Sequence, residues 1–170
     1  TYAAIALKIR NRRWDSIPFL IRAGKALNDR KTEIRIVFRD VPANIFSASK
    51  TAPEANELVI RVQPDEGISL SFMNKMPGLP MSLHKTHLNL SYADVYDKMP
   101  DAYESLILDV IKEDKSLFIR ADELAAAWDV FTPVLFDLES CTIKPQEYAF
   151  GSDGPKSAGA LAALHGAVWR

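Results

Sequence analysis

The sequence has a single cysteine, Cys141, which excludes an internal disulfide. A protein without disulfides suits a reducing compartment, so we expect the cytoplasm or a plastid stroma. The N-terminus lacks the charged and apolar segments of a secretory signal. No apolar run approaches the roughly 18–20 residues that a membrane helix needs. These absences predict a protein that is neither secreted nor in contact with a membrane.

Net charge is also nearly absent, because 21 lysines and arginines face 22 aspartates and glutamates. Proteins that bind nucleic acid without sequence preference usually carry a strongly basic face. We therefore expect no nucleic-acid partner.

Common catalytic and nucleotide-binding motifs are missing. The sequence has neither the G-x-G-x-x-G fingerprint nor the G-x-x-x-x-G-K-[ST] loop, so it has no recognisable nucleotide-binding turn. Its histidines, His84, His87 and His165, lack metal-ligand spacing, and one cysteine cannot complete a zinc site. No G-x-S-x-G elbow supports a serine nucleophile. We expect surface histidines and no metal.

The first half of the sequence is rich in alternating apolar and polar residues, which predict β-strands. The predicted strands are segments 1–9, 33–39, 57–63, 68–73 and 86–92. Ile34, Ile36 and Phe38 share one face of their segment. The turn Pro64-Asp65-Glu66-Gly67 should join two of the strands as a hairpin. Short turns between alternating strands favour an antiparallel sheet.

The second half is predicted to be helical. One helix should follow Pro100, a second should start at Asp122, and a third should run from Pro155 to about His165. Pro133 is expected to kink or end the second helix. Strands followed by helices predict an α+β domain over residues 1–170, with a large, mostly antiparallel sheet and helices packed on one face.

Cations are concentrated in the stretch IRAGKALNDRK, residues 21–31. Its four cationic side chains, Arg22, Lys25, Arg30 and Lys31, are predicted to lie in the loop before the strand that carries Arg35. If segments 33–39 and 57–63 are neighbours, Arg35 and Arg61 share a face, with Gln63 further along it. Such a face could bind a phosphate. The alternative is an ordinary solvated face whose counter-ions are Asp29 and Glu33.

Longer stretches carry a resemblance to a known family. They are RWDSIPFLIRAGKALNDRKTEIRIVF (13–38), ELVIRVQPDEGISL (57–70), PDAYESLILDVIKEDKSLFIRADELAAAW (100–128) and FGSDGP (150–155). In order and spacing they resemble the C-terminal domain of glucose-6-phosphate dehydrogenase. The resemblance implies an enzyme that oxidises glucose 6-phosphate to 6-phosphogluconolactone with NADP, in the oxidative pentose phosphate pathway. It also implies that the N-terminal Rossmann domain, which binds NADP, and the catalytic histidine lie outside this chain, so that the fragment alone is inactive.

The family's substrate contacts match three positions of this sequence. The resemblance implies that Lys25, Arg30 and Gln63 bind glucose 6-phosphate. It also implies two protein partners: the chain's own N-terminal domain, and a second copy in a homodimer or larger assembly formed through the sheet. A non-catalytic assembly or regulatory module derived from the family stays an alternative.

Some family members hold a second, structural NADP against the sheet, and that pattern is only partly kept in this sequence. Arg22, Lys31, Arg35 and Arg61 match its cationic positions, which form a possible remnant site. Ser69 and Ser71 replace an aromatic residue and a lysine, and Asp153 replaces an arginine. One unit charge at 4 Å is worth roughly 4 kcal/mol at an effective dielectric of about 20. We therefore expect this second NADP site to be absent or much weakened.

Overall fold

The computed structural model describes residues 1–43, 45–46, 54–97 and 101–169. These residues divide into two compact units. The first unit comprises residues 1–29 and 116–170, and the second comprises residues 30–115. The predicted helix start at Pro100 lies outside the described residues.

The first unit contains a two-stranded antiparallel sheet and two helices. Strands β1 (Tyr2–Lys8) and β2 (Pro18–Gly24) pair so that Ile5 lies opposite Ile21. The helices are α2 (Ala121–Glu139) and α3 (Lys156–Leu164). Helix α3 packs against β1 and buries Ala158 and Ala162, whereas α2 buries none of its residues.

The second unit contains a four-stranded antiparallel sheet in the order β3-β4-β5-β6. Its strands are β3 (Thr32–Val37), β4 (Glu57–Gln63), β5 (Gly67–Lys75) and β6 (Leu83–Ser91). A short 3₁₀ turn over Tyr92–Asp94 follows, and then helix α1 (Ala102–Ile111). The side chain of Asp101 accepts a hydrogen bond from the Tyr103 amide over 2.8 Å and caps α1.

The register of this sheet separates apolar from polar residues as the alternation predicted. Two rows of apolar residues cross all four strands on one face, namely Ile34, Ile60, Ile68 and Leu90, and Ile36, Leu58, Leu70 and Leu88. Because strand side chains alternate, the opposite face carries Glu33, Arg35, Arg61, Ser69 and Ser71. The predicted hairpin of β4 and β5 is confirmed.

The α+β class and the antiparallel pairing are confirmed, with three corrections of detail. The described strands form two sheets of two and four strands rather than one large sheet. Arg22 was predicted in a loop but lies within β2, because the apolar run before it pairs with β1. Pro133 lies inside α2, so it does not end that helix.

Candidate functional site

Lys25 follows the last residue of β2 and begins an exposed loop. Its backbone amide donates to the carbonyl oxygen of Thr1 over 2.9 Å, which continues the pairing of β1 and β2 by one residue. The Lys25 side chain is exposed, so its ammonium group is available to an anion in solvent. The structure therefore places Lys25 at the end of a regular strand pair, where its backbone is fixed.

The segment 148–153 lies alongside this loop. The amide of Gly151 donates to the carbonyl oxygen of Ala26 over 2.8 Å, and the amide of Asn28 donates to the carbonyl oxygen of Ser152 over 3.1 Å. Leu27 and Ser152 form a parallel β-bridge. The two stretches RAGKALN and FGSDGP are thus held together by backbone hydrogen bonds.

Two side chains of the same segment also bind the loop. The Tyr148 hydroxyl lies 2.8 Å from the carbonyl oxygen of Lys25 and 3.1 Å from that of Thr1. The side-chain amide of Asn28 donates to Oδ1 of Asp153 over 2.6 Å. We call Tyr148 and Asp153 the loop clamp.

The ring of Tyr2 packs against Gly24, Gly154 and Tyr148. A Cβ atom at Gly154 would lie 2.5 Å from Cε2 of Tyr2, and one at Gly24 would lie 2.7 Å from Cδ2. The Tyr2 ring also meets the Tyr148 ring edge-on, with 5.5 Å between centroids. Glycine at both positions therefore lets the backbone approach the ring closely.

Arg22, a predicted cofactor contact, lies elsewhere in the first unit. Its guanidinium carbon is 5.2 Å from the centre of the Trp169 ring, within cation–π range. The indole nitrogen of Trp169 donates to the carbonyl oxygen of Ala158 over 2.8 Å. The ring is thus anchored to helix α3 and covered by Arg22.

The second unit brings three of the predicted cations together on the polar face of its sheet. Arg35 Nε lies 2.7 Å from Glu33 Oε1, Lys31 Nζ lies 3.5 Å from the same oxygen, and Arg61 Nη2 lies 4.0 Å from Glu33 Oε2. Arg35 Nη1 also lies 3.4 Å from Glu57 Oε2. The predicted sharing of a face by Arg35 and Arg61 is confirmed, and so is the counter-ion role of Glu33.

The ion pairs shift two pKa values. Burial by itself raises the pKa of Glu33, but the hydrogen bond from Arg35 and the charges of Arg35 and Lys31 outweigh burial and hold that pKa below its ordinary value. The hydrogen bond to Glu33 raises the pKa of Arg35, against an opposing effect of burial. Both shifts favour the charged pair.

An open groove of about 480 Å³ runs along this polar face. Among the residues that line it are Arg35, Glu57, Arg61, Ser69, Ser71 and His87. The hydroxyl of Ser69 donates to Asn89 Oδ1 over 2.7 Å, and the hydroxyl of Ser71 lies 2.9 Å from His87 Nδ1. The two serines that replace larger residues of the family pattern are thus paired with neighbours on β6.

The remaining predicted substrate contacts are exposed residues of the second unit. Gln63 ends β4 opposite Thr32, and the peptide bond from Gln63 to Pro64 is cis. Arg30 lies in the segment that leads into β3. The predicted substrate residues are therefore divided between the two units, with Lys25 in the first and Arg30 and Gln63 in the second.

Sequence reasoning missed the loop clamp. Asp153 was predicted only to oppose a dinucleotide through its charge, and no role was predicted for Tyr148. No local pattern connects either residue to Lys25, because Tyr148 lies 123 residues away from it. The one available signal of the clamp was the presence of both the RAGKALN and the FGSDGP stretch in the same sequence.

Two features, a membrane-spanning helix and a metal-binding cluster, are absent from the described part of the chain. None of its helices is long and apolar enough to cross a membrane. Within the same residues, no group of three or more His, Cys, Asp or Glu side chains could hold a metal ion.

Comparison with known proteins gives consistent matches along the whole chain. The family described as glucose-6-phosphate dehydrogenase, C-terminal domain, matches residues 1–170. Glucose-6-phosphate 1-dehydrogenase 3, chloroplastic, of Arabidopsis thaliana is 53% identical over 99% of this chain and 29% of its own length. The cytoplasmic isoform of glucose-6-phosphate 1-dehydrogenase from Solanum tuberosum is 45% identical over 99% of this chain and 34% of its own length.

A solved structure agrees with these matches. It is the structure of glucose-6-phosphate dehydrogenase in complex with its substrate glucose-6-phosphate. Its superposition on this chain has a TM-score of 0.89 with 44% sequence identity, and the match covers 100% of this chain and 35% of the dehydrogenase chain. The 170 residues thus span about a third of the relatives they match.

The fold and these matches define the class of the protein as an α+β domain similar to one part of the dehydrogenases named above. More particularly, the chain belongs to the family of glucose-6-phosphate dehydrogenase C-terminal domains.

Proposed function

We propose that this chain is the substrate-binding and dimerisation domain of a glucose-6-phosphate dehydrogenase. The whole enzyme oxidises glucose 6-phosphate at C1 to 6-phosphogluconolactone and reduces NADP. The observation that carries the proposal is the likeness, over every residue of this chain, to a dehydrogenase solved with glucose-6-phosphate.

The proposal divides the work between this chain and the rest of the enzyme. The relatives are about three times as long as this chain of 170 residues. We assign the NADP-binding Rossmann domain and the catalytic base to that additional length, and the chain's own N-terminal domain is then its first partner. The fragment alone is inactive on this proposal.

The contribution of this chain is substrate contact. The exposed ammonium of Lys25 and the guanidinium of Arg30 supply positive charge for the phosphate. The amide of Gln63 offers both a donor and an acceptor to sugar hydroxyls. Lys25 has the strongest support, because its backbone is held at the end of the β1–β2 pair.

We do not extend the proposal to a structural NADP on the sheet, because the residues present fit that group poorly. The cations Lys31, Arg35 and Arg61 face two carboxylates, Glu33 and Glu57, at ion-pair distance. The serines that replace an aromatic residue and a lysine bind neighbours on β6 instead. A dinucleotide phosphate would therefore have to compete with existing ion pairs for its donors.

Self-association is the third part of the proposal. The two apolar rows of the four-stranded sheet are open to solvent on its edge strands, with Ile34 54% and Leu88 59% exposed, and half-buried on its central strands. Exposed apolar surface of this extent favours association. We propose a homodimer or larger assembly through this sheet, in the cytoplasm or a plastid stroma.

The test is a calorimetric titration of the chain with glucose 6-phosphate, repeated on Lys25→Ala. We expect saturable binding that weakens at least about tenfold in the variant. Lys8→Ala is the matched control, because it removes one exposed cation from the same unit and should leave the affinity unchanged. Equal affinities in all three proteins would refute the substrate role of Lys25.

Activity gives a second measurement. With NADP and glucose 6-phosphate, the chain alone should form no reduced cofactor. Adding the remaining part of a family enzyme as a separate polypeptide should restore turnover. A chain that neither binds glucose 6-phosphate nor restores turnover would support the alternative, a non-catalytic assembly or regulatory module.

A further inference from the structure

The loop that carries Lys25 contains a conformation that needs support. Ala26 has φ +55°, in the left-handed region that residues with a side chain rarely adopt. Such residues persist where the surrounding structure holds them in place. In this loop, the carbonyl oxygen of Ala26 accepts a hydrogen bond from Gly151 over 2.8 Å. The conformation next to Lys25 therefore depends on the segment 148–153.

Tyr148 acts on the backbone of Lys25 itself. Its hydroxyl lies 2.8 Å from the Lys25 carbonyl oxygen and 3.1 Å from the Thr1 carbonyl oxygen. A phenol has one proton to donate, so the hydroxyl serves one of these oxygens at a time. In either position it attaches Tyr148 to the end of the β1–β2 pair.

Asp153 holds the other end of the loop. Its Oδ1 accepts a hydrogen bond from the side-chain amide of Asn28 over 2.6 Å, and a hydrogen bond to an ionised acceptor is stronger than one between neutral groups. The Asn28 backbone is bound to the neighbouring Ser152. Both ends of the segment 25–28 are therefore attached to residues 148–153.

We propose that Tyr148 and Asp153 are positioning residues, which hold the loop of Lys25 in the conformation that presents its ammonium group to a sugar phosphate. This inference rests on the proposed substrate role of Lys25. It adds that affinity for the phosphate depends on two residues that do not touch the phosphate. The physical basis is pre-organisation, since a loop that is already ordered loses less conformational entropy when it binds.

The contacts agree with a positioning role. The hydrogen bonds of the clamp reach backbone atoms of Thr1 and Lys25 and the side chain of Asn28. The Lys25 side chain stays exposed. The clamp thus fixes the backbone position of Lys25 and leaves its ammonium group accessible to a ligand.

The hydrogen bond to Asn28 gives Asp153 a role besides that of a negative charge. In the sequence, Asp153 stands where some family members have an arginine, and its predicted effect was that of a negative charge alone. If its hydrogen bond to Asn28 is what matters, Asp153→Asn should keep the loop ordered, because an amide oxygen still accepts a hydrogen bond. Asp153→Ala should loosen the loop. If only the charge matters, the two variants should behave alike.

The experiment compares Tyr148→Phe, Asp153→Ala and Asp153→Asn with the unaltered chain. Hydrogen exchange of the Lys25 and Asn28 amides reports the order of the loop. We expect exchange about tenfold faster in Tyr148→Phe and Asp153→Ala, and near-normal exchange in Asp153→Asn. Amides inside helix α3, which belongs to the same unit, should exchange at unchanged rates, which separates local loosening of the loop from unfolding of that unit.

Affinity for glucose 6-phosphate is the second readout. It should fall about tenfold in the two variants with a loosened loop and stay normal in Asp153→Asn. Tyr103→Phe is the matched control, because it removes a hydroxyl from a tyrosine that is 77% exposed on α1; it should change neither readout.

The two readouts keep this inference separate from the proposed function. Unchanged exchange at Lys25 and Asn28 in all variants would overturn the positioning role, and so would faster exchange with unchanged affinity. If the unaltered chain does not bind glucose 6-phosphate, the substrate role of Lys25 fails. Exchange would then still show whether Tyr148 and Asp153 hold the loop.

Discussion

Arg35 Nε lies 2.7 Å from Oε1 of Glu33, two residues earlier on the same face of β3. The Glu33 side chain is only 9% exposed, and Lys31 and Arg61 approach it as well. One carboxylate thus holds three cations on the polar face of the sheet. This arrangement affects both the stability of the domain and its capacity to bind anions.

Acid should destabilise the domain through Glu33. The folded-state pKa of Glu33 lies below the ordinary value of 4.5. Its contribution to stability is therefore fully present above that value and is lost as the pH falls through the folded-state pKa. We expect the free energy of unfolding, measured with urea from about pH 7 downward, to decrease in acid. Glu33→Gln should be less stable near neutral pH and should lose less on acidification.

The matched control for this titration is Glu104→Gln, at an exposed position in the first turn of α1. It should show the same acid sensitivity as the unaltered chain. Parallel stability curves for Glu33→Gln and the unaltered chain would contradict a special role for Glu33.

NADP should not bind this chain at low micromolar concentration. Three of the four cations that match the structural NADP site, Lys31, Arg35 and Arg61, are already paired with Glu33 or Glu57. A phosphate must displace those carboxylates or add to a face where they repel it. Calorimetric titration with NADP should show only weak heats that do not saturate. Saturable low-micromolar binding that is lost in Arg35→Gln would show that the site functions despite these carboxylates.

Gly154→Ala should destabilise the first unit by about 1–3 kcal/mol. Gly154 has φ +96°, and an added Cβ would lie 2.5 Å from Cε2 of Tyr2. Both the backbone and the ring would have to move. The free energy of unfolding from urea denaturation measures the cost.

Gly159→Ala is the control for the same chemical change. Gly159 lies inside α3, and an added Cβ there would meet nothing within 4 Å. Alanine favours a helix interior over glycine, so this variant should be stabilised by about 0.5–1 kcal/mol. Equal effects of the two substitutions would contradict close packing of Tyr2 against Gly154.

The open apolar rows of the four-stranded sheet should cause self-association. We expect light scattering at micromolar concentration to give the mass of a dimer or a larger species. Ile34→Lys should shift the mass toward the monomer, because it places a charge on the exposed edge strand of the apolar face. Val41→Lys, which alters a 68% exposed residue outside the sheet, should not. A monomeric mass for the unaltered chain would contradict association through this face.

Much of the second unit could be predicted from the sequence. Alternation with a period of two assigned Ile34, Ile60 and Arg35 to their faces, and the turn after Gln63 predicted the pairing of β4 with β5. These features are local, because side-chain direction in a strand follows from position along the strand. The family was also recognisable, since its stretches are continuous in sequence.

The first unit was harder to predict. Strand β2 was missed because Arg22 and Gly24 interrupt its apolar pattern, and only pairing with β1 makes it a strand. Pro133 was expected to kink or end α2, and the helix continues past it to Glu139. In both places, tertiary or longer-range structure overrides a local preference.

Alternation, element order and continuous family stretches were enough to predict the α+β class, the two faces of the four-stranded sheet, the family, and the cluster of cations in residues 21–31. The folded structure added that Glu57 also pairs with Arg35, and that Tyr148 and Asp153 bind the loop of Lys25. The two kinds of feature differ in the range over which the interactions act. Periodicity and turn preference act over a few residues, whereas the contact between Lys25 and Tyr148 spans 123 residues and exists only after the chain has folded.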